Sequence, residues 1–333
     1  MSKKIVVTGG CGYIGSHVAR AFKNADPNNR VIIIDRAYRE HTVKGIDGCQ
    51  VADFASDPAL SFLRLEEPDV IVHCAGTSLV GPSVTDPGEY YDNNISKTIK
   101  MLNVIKDMPK KPLIMFSSSA SVYGEPKSIP IEEYFEVRPI SPYGNTKAIT
   151  ETILKDYASA YKINSVVFRY FNAAGAVPDT YDLGQAPGAT HIVARILEAS
   201  INNTDFTLYG SDYGTSDGSC IRDYVHVWDI AQAHVQASNV FTDSGTGQSL
   251  IYNLGTEKGT SNFEIIEYVI KHYGLNQLLI QHRRPGDPDQ LVASYKRAKL
   301  DFGWEPTNSN IGNIIDSAYK WYTRNNLKVD STI

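Results

Sequence analysis

Tyrosine four residues ahead of lysine occurs as Tyr123/Lys127, Tyr143/Lys147 and Tyr295/Lys299, and such a pair has a definite use. A phenol titrates near pH 10 unaided, so accepting a proton near neutrality needs a shift of roughly 3 units, about 4 kcal/mol. A neighbouring ammonium supplies about 1–3 units, and a positively charged nicotinamide ring supplies more. The spacing alone selects none of the three copies. Pro126 falls inside the first, and proline in a helix interior removes a hydrogen bond and clashes with the turn before it. The third lies far from the strand-rich half of the chain and reads as a solvated helix face. Tyr143 opens an amphipathic run after Ser141-Pro142, and the i, i+4 spacing puts Lys147 on its face. Upstream, Ser117-Ser118-Ser119 closes an apolar run. Its hydroxyls either face a cleft at the end of a sheet or satisfy backbone groups. Ser119, Tyr143 and Lys147 are the catalytic candidates.

A second constellation precedes this one. Gly9-Gly10-Cys11-Gly12-Tyr13-Ile14-Gly15 follows the first apolar run and opens a helical pattern. Glycine at 9, 12 and 15 permits a tight turn and close backbone approach, so that a pyrophosphate sits on the amides of the next helix. Asp35 ends the following apolar run about 20 residues beyond the last glycine, the spacing of a dinucleotide site. A carboxylate there accepts from the ribose 2′-hydroxyl of NAD and repels the 2′-phosphate of NADP. Arg36 and Arg39 leave open a guanidinium clamp on such a phosphate, but NAD is the favoured reading.

The elements that must position these residues are visible as a rhythm. Lys4 to Thr8, Arg30 to Asp35, Asp69 to Cys74, Pro112 to Ser117 and Ser165 to Arg169 are strand-like runs. Tyr13 to Phe22, Tyr90 to Ile105 and Tyr143 to Tyr161 are helical between them. The strands are apolar almost throughout, as strands covered on both faces are. The expected fold is α/β, a doubly wound parallel sheet of Rossmann type with a smaller C-terminal substrate-binding domain. Residues 1–172 form the first unit, with about 223–256 returning to it; 173–222 and 257–333 form the second. VPDTYDLGQAPG (177–188) and GSDYGTSDGS (210–219) read as loops, Ser249 to Leu254 as a strand and Asn262 to His272 as a helix.

Composition narrows the rest. Lys plus Arg is 32 against 37 for Asp plus Glu, which argues against a nucleic-acid grip or a polybasic membrane surface. No apolar run reaches membrane-spanning length, and glycines at 9 and 10 interrupt any secretory core after the N-terminal lysines. Cys11, Cys49, Cys74 and Cys220 contain no CxxC pair, so free thiols in a reducing cytoplasm are expected, and no metal site.

The sequence resembles the extended short-chain dehydrogenase/reductase family, and within it the UDP-glucose (UDP-galactose) 4-epimerases, over essentially its whole length. The resemblance is carried by TGGCGYIGSH (8–17), CAG (74–76), EYYDNN (89–94), FSSSASVYG (116–124) and SPYGNTK (141–147). RYFNAAGA (169–176), IRDYVHVWD (221–229), YNLGT (252–256) and RRPGD (283–287) extend it. It implies NAD contacts at Gly9, Gly12, Tyr13, Ile14, Gly15, Asp35, Asp53, Phe54, Ala75, Asn94, Tyr143, Lys147 and Tyr170. It implies that Ser119 bonds the sugar 4-hydroxyl, that Tyr143 is the acid/base and that Lys147 binds the nicotinamide ribose. Asn172, His191, Tyr209, Arg222, Arg284, Asp287 and Leu291 fall where relatives hold the UDP-sugar, and a homodimer through helices 90–106 and 143–161 is implied.

The implied reaction is inversion at sugar carbon 4 through a 4-keto intermediate, with tightly held NAD recycled and no net redox change. Three positions depart from the family pattern. Ser78 replaces a lysine, His191 stands where many relatives have asparagine, and Leu291 occupies a position that gates N-acetylhexosamines. The alternatives are epimerisation of a UDP-N-acetylhexosamine, UDP-glucuronate or UDP-pentose, dehydration or decarboxylation of a sugar nucleotide, and nucleotide sensing without chemistry. Ala120 and Ser121 lack the titratable protons a dehydratase uses there, and a sensor would be expected to have lost Tyr143 or Lys147.

Overall fold

Thirteen strands occur among the residues that the computed structural model describes, 2–241, 245–283 and 287–324. In chain order they begin with β1 (Lys4–Thr8), β2 (Arg30–Asp35), β3 (Gly48–Val51), β4 (Val70–His73), β5 (Leu113–Ser119) and β6 (Ser165–Tyr170). Then follow β7 (Asn172–Ala174), β8 (Phe206–Tyr209), β9 (Ile221–His226), β10 (Ser249–Leu254), β11 (Gly259–Ser261), β12 (Leu278–Gln281) and β13 (Gln290–Leu291). Seven build one sheet in the order β10-β6-β5-β4-β1-β2-β3, with every neighbouring pair parallel.

The continuous apolar runs are explained by two cores. Ile5, Val7, Ile33 and Val72 face one side, against Val18 and Phe22 of the helix Tyr13–Ala25 and Ala233 of the helix Val227–Val240. Val6, Ile34, Ile71 and Ile114 face the other, against Leu60 and Leu63 of the helix Asp57–Glu66 and Leu102 and Ile105 of the helix Lys97–Lys106. Each such side chain contributes about 1.5–3 kcal/mol by leaving water, so both faces of every central strand must stay apolar. The strand order reverses between β1 and β4, and a crevice opens there at the carboxyl ends.

Most expected elements are present within a residue or three of their expected ends. β3 was not expected because Gly48-Cys49-Gln50-Val51 is an edge strand without a fully buried residue. The run read as one helix over Tyr90–Ile105 is interrupted. Pro87–Tyr91 is α-helical, Asp92–Ser96 closes wider i→i+5 turns, and Lys97–Lys106 resumes the α-helix. The stretch 177–188 holds a short helix, Pro178–Tyr181; 210–219 is free of helix and strand.

Beyond β6 the chain builds a smaller layer, in which β9 is flanked by β11 and β13 and also pairs with β7, while β8 pairs with β12. The helices Ile192–Asn202, Asn262–Tyr273 and Ile311–Arg324 cover it around a third core that includes Ile196, Ile266, Ile315 and Trp321. β10 returns to the large sheet beside β6. No helix among the described residues is long and apolar enough to cross a membrane.

Candidate active site

A cleft of about 500 Å³ lies over the carboxyl ends of the central strands. Its floor is the glycine turn. Gly9 has φ +70°, and a Cβ there would sit 2.7 Å from the Ala75 amide nitrogen. At Gly15 a Cβ would meet the Gly9 carbonyl oxygen at 2.3 Å, so no other residue fits either position unshifted. The helix Tyr13–Ala25 starts at Gly12 without a side-chain cap, leaving its first amides and the positive end of its dipole for an anion. Gly9, Gly12, Tyr13, Ile14 and Gly15 all line the cleft. Asp35 lines it too, its carboxylate accepting the Cys11 amide at 2.9 Å and the Ala37 amide at 3.0 Å. Arg36 joins the wall, whereas Arg39 donates to the Cys11 carbonyl.

Asp53, Phe54 and Ala75 complete this end. Burial works to raise the Asp53 carboxyl, but the Lys97 ammonium at 2.7 Å, the Ala55 amide and Arg36 together hold it below the usual carboxylate range. Asn94 does not line the cleft. It accepts the Thr77 amide and donates to the Thr77 carbonyl and the Thr146 hydroxyl, tying the loop after β4 to the helix Pro142–Tyr161. Asn93 lines the wall instead. The uncapped helix end, the glycine cradle and the Asp35 carboxylate together fit a dinucleotide whose ribose carries a free 2′-hydroxyl.

The helix Pro142–Tyr161 delivers the catalytic candidates. Ser141 caps it, accepting the Gly144 amide at 3.1 Å, and Pro142 takes the first helical position. Tyr143 and Lys147 are both buried at the cleft, beside Ser119. Lys147 Nζ donates to the Ser117 carbonyl at 2.8 Å and lies 5.7 Å from the Tyr143 ring centroid. Burial pushes Tyr143 up to about 12; a hydrogen bond with Ser119 opposes this and Tyr90 adds to it. Burial pushes Lys147 down to about 8, with Cys74 and Glu151 opposing.

Burial here works against the help that a neighbouring ammonium was expected to give the phenol. The same burial that assembles the pair penalises both charged forms. Ser119 also accepts the Ser121 amide and donates to the Ser121 hydroxyl. Tyr170 lines the cleft, with its hydroxyl 3.0 Å from Ser117 Oγ and 2.9 Å from His234 Nε2. Behind β5, Arg169 and Glu151 form a buried ion pair at 2.6 Å, to which Ser118 donates.

The other two Tyr/Lys copies do not form pairs. Tyr123 is a buried donor to Asn253 and acceptor from Arg169, and Lys127 lies in non-helical chain. Tyr295 precedes the helix Lys296–Phe302, and Lys299 forms an exposed pair with Glu305 at 2.9 Å.

A second chamber, about 180 Å³, adjoins the cleft. Asn172 and His191 line both spaces, Tyr209, Arg222 and Asp287 line the chamber, and Leu291 lines the cleft. Leu291 on β13 is in register with Arg222 on β9, so one strand pair carries both. Ser78 also lines the cleft. Arg284 lies outside the described residues. Arg195, Asn262 and Gln185 line these spaces without having been singled out in the sequence. Among the described residues no group of three His, Cys, Asp or Glu side chains could hold a metal ion.

The sequence pattern of the NAD dependent epimerase/dehydratase family matches residues 5–255. The chain belongs to that family. Within it, a UDP-glucose 4-epimerase of Lactobacillus helveticus is 40% identical over 328 residues, covering 96% of this chain and 97% of its own. A UDP-glucose 4-epimerase of Stenotrophomonas maltophila, solved with NAD and formylated UDP-arabinopyranose, superimposes with a TM-score of 0.90 at 30% identity, covering 97% of this chain and 99% of its own. The enzyme of Bifidobacterium longum, solved with NAD+ and UDP, gives 0.88 at 32% identity, with coverage of 97% and 99%. The family resemblance read from the motifs and the doubly wound α/β fold are thus both shown.

Proposed function

We propose that this chain is an NAD-dependent UDP-glucose 4-epimerase, interconverting UDP-galactose and UDP-glucose. The observation that carries the reading is Ser119, Tyr143 and Lys147 in the wall of a dinucleotide cleft that continues into a polar chamber. Gly9, Gly12, Tyr13, Ile14 and Gly15 would hold the pyrophosphate, Asp35 the adenosine ribose, Asp53, Phe54 and Ala75 the adenine side, and Lys147 and Tyr170 the nicotinamide side. Asn94 acts on this site through the Gly76-Thr77 loop. When bound, NAD supplies the acceptor for the carbon-bound hydrogen and a positive ring charge that favours the phenolate.

Tyr143 takes the sugar 4-hydroxyl proton and later returns it, while Ser119 donates to or accepts from that oxygen as its charge changes. Arg222, with Asn172, His191, Tyr209, Arg284 and Asp287, retains the UDP portion while the 4-keto sugar turns over. Remote binding energy thereby keeps the intermediate in place. Leu291 bounds the space in which the sugar turns. Residues 1–172 with about 223–256 serve the cofactor, and 173–222 with 257–333 serve the substrate. The protein acts in the cytoplasm as a homodimer. Tyr91, Ile149 and Tyr161 support this, since they stand 38–42% exposed on the two helical stretches expected at the interface; sedimentation at micromolar concentration tests it.

The deciding experiment is proton NMR of anomeric signals, with the purified protein mixed separately with UDP-galactose and UDP-N-acetylgalactosamine and no NAD added. Conversion of UDP-galactose is expected. Conversion of both would widen the substrate class, and conversion of neither, even with NAD or NADP supplied, would overturn the reading.

A further inference from the structure

One hydroxyl of the cleft wall, Ser121, bonds directly to the candidate Ser119. It sits in the short turn Ala120–Val122, which Ser119 caps through its side chain. A Cβ on Gly144 would meet the Ser121 carbonyl oxygen at 2.6 Å, so this turn is seated on the residue that follows Tyr143. Ser119 Oγ accepts the Ser121 amide at 3.2 Å and donates to Ser121 Oγ at 3.1 Å. It also shares a hydrogen bond with Tyr143. A serine hydroxyl has one proton and two acceptor lone pairs. The Ser121 amide can only donate, so it always occupies one lone pair. One proton and one lone pair remain for two hydroxyls, Tyr143 on one side and Ser121 on the other. Their roles are therefore opposed. While Ser119 donates to Ser121 it can only accept from Tyr143, and when it donates to Tyr143 it must accept from Ser121.

The same count holds whichever oxygen, phenol or sugar, lies opposite Ser121. The sugar 4-oxygen is a hydroxyl in the substrate, able to donate, and a carbonyl in the 4-keto intermediate, able only to accept. Bonding the carbonyl turns the Ser119 proton toward it, and the lone pair this leaves on Ser119 is filled from Ser121. We propose that Ser121 is a positioning residue for the epimerisation, reversing its hydrogen bond to Ser119 when the 4-hydroxyl becomes a ketone and again when the hydroxyl is restored. This rests on the proposed UDP-sugar reading and extends it by one residue. The reversal moves no proton between residues. Each serine hydroxyl rotates about its own C–O bond, and the 4-hydroxyl proton still goes to Tyr143. A hydrogen bond completed only once the ketone exists raises turnover without tightening substrate binding. Filling the Ser119 lone pair also polarises its O–H toward the ketone.

The test compares NAD-loaded wild type, Ser121→Ala and Ser121→Thr by turnover of UDP-galactose, by calorimetric titration with UDP, and by phenolate absorbance against pH. Subtracting the absorbance of the matching Tyr143→Phe protein isolates the Tyr143 signal. The titratable groups around that phenol are Lys147, Tyr90, Tyr170 and, beside Lys147, Cys74, and both variants keep them all. Ser121→Ala should lower the turnover number about 3–10-fold, the equivalent of one hydrogen bond, at unchanged KM, UDP affinity and NAD content. Its Tyr143 titration should move up by about 0.5–1 pH unit, because the phenolate loses the same support. Ser121→Thr keeps the hydroxyl and should restore both. The inference requires both changes, so either without the other overturns it. Equal losses in the two variants would assign the position to shape and overturn it, as would a loss confined to KM or UDP affinity. Wild type that epimerises UDP-galactose no faster than Ser121→Ala would sink this inference alone. Wild type that neither binds UDP nor turns over would sink the functional reading as well.

Discussion

Replacing Tyr143 with phenylalanine separates chemistry from binding. The phenol stands at about 12 because burial outweighs the Ser119 hydrogen bond. Holding it ionised at pH 7 before the cofactor's charge arrives therefore costs about 7 kcal/mol, at 1.36 kcal/mol per unit. Tyr143→Phe removes the phenol proposed to exchange the 4-hydroxyl proton, and acid/base catalysis is worth about 10²–10⁴-fold. The turnover number should fall by that factor, about 3–5 kcal/mol of barrier. Stability should change far less, because one hydroxyl-to-hydroxyl bond is lost, worth about 0.5–1.5 kcal/mol. The assay is anomeric NMR for turnover, beside calorimetry for UDP on the NAD-loaded variant. Turnover within about tenfold of wild type, or a matching loss of UDP affinity, would refute the assignment.

Other perturbations probe the supports. Arg169→Met strands the Glu151 carboxylate in the core and should cost about 3–5 kcal/mol in urea unfolding, with Arg169→Met/Glu151→Met recovering most of it. A double variant no more stable than Arg169→Met alone would contradict the reasoning. Gly15→Ala drives a Cβ against the Gly9 carbonyl oxygen and should lower the NAD content of purified protein, measured after acid release, well below one per chain. Burial pushes Asp223 up to about 6 against four opposing hydrogen bonds. Its folded form therefore favours the proton, and the stability it contributes is full below about pH 4 and lost as the pH rises to about 6. Asp223→Asn should flatten the stability curve in that window, and an unchanged slope would show that other groups set it.

Local pattern carries much of this protein. The glycine turn, Asp35 and the Tyr143/Lys147 helix are legible because strand, turn and helix follow one another without a gap, and each signal confirms its neighbour. Other features depend on geometry that spacing does not encode. The wider turns at Asp92–Ser96 leave Asn93 at the cleft wall and Asn94 tied to Thr77 and Thr146, a detail that EYYDNN does not reveal. The titration of Tyr143 depends on its burial, which the Ser119 hydrogen bond only partly offsets, and sequence gives residue types rather than depth. Arg169 and Glu151 lie on separate elements, and nothing in either run signals that one neutralises the other.

The place of β10 has a bearing on how the chain must be made. It lies in full register on β6, from Ser249 against Ser165 to Leu254 against Tyr170, and supplies the last strand of a sheet whose other six are complete by Tyr170. Until the ribosome has released residue 254, β6 is an unpaired parallel edge with Val166 and Phe168 uncovered on one side, the kind of surface that recruits other chains. A fragment ending near residue 172 contains every strand of the cofactor cleft and still exposes that edge, so it should aggregate rather than fold. The long closure from 170 to 249 also makes sheet completion a late, non-local event, and residues 173–222 of the substrate side must be synthesised before the cofactor side is sealed.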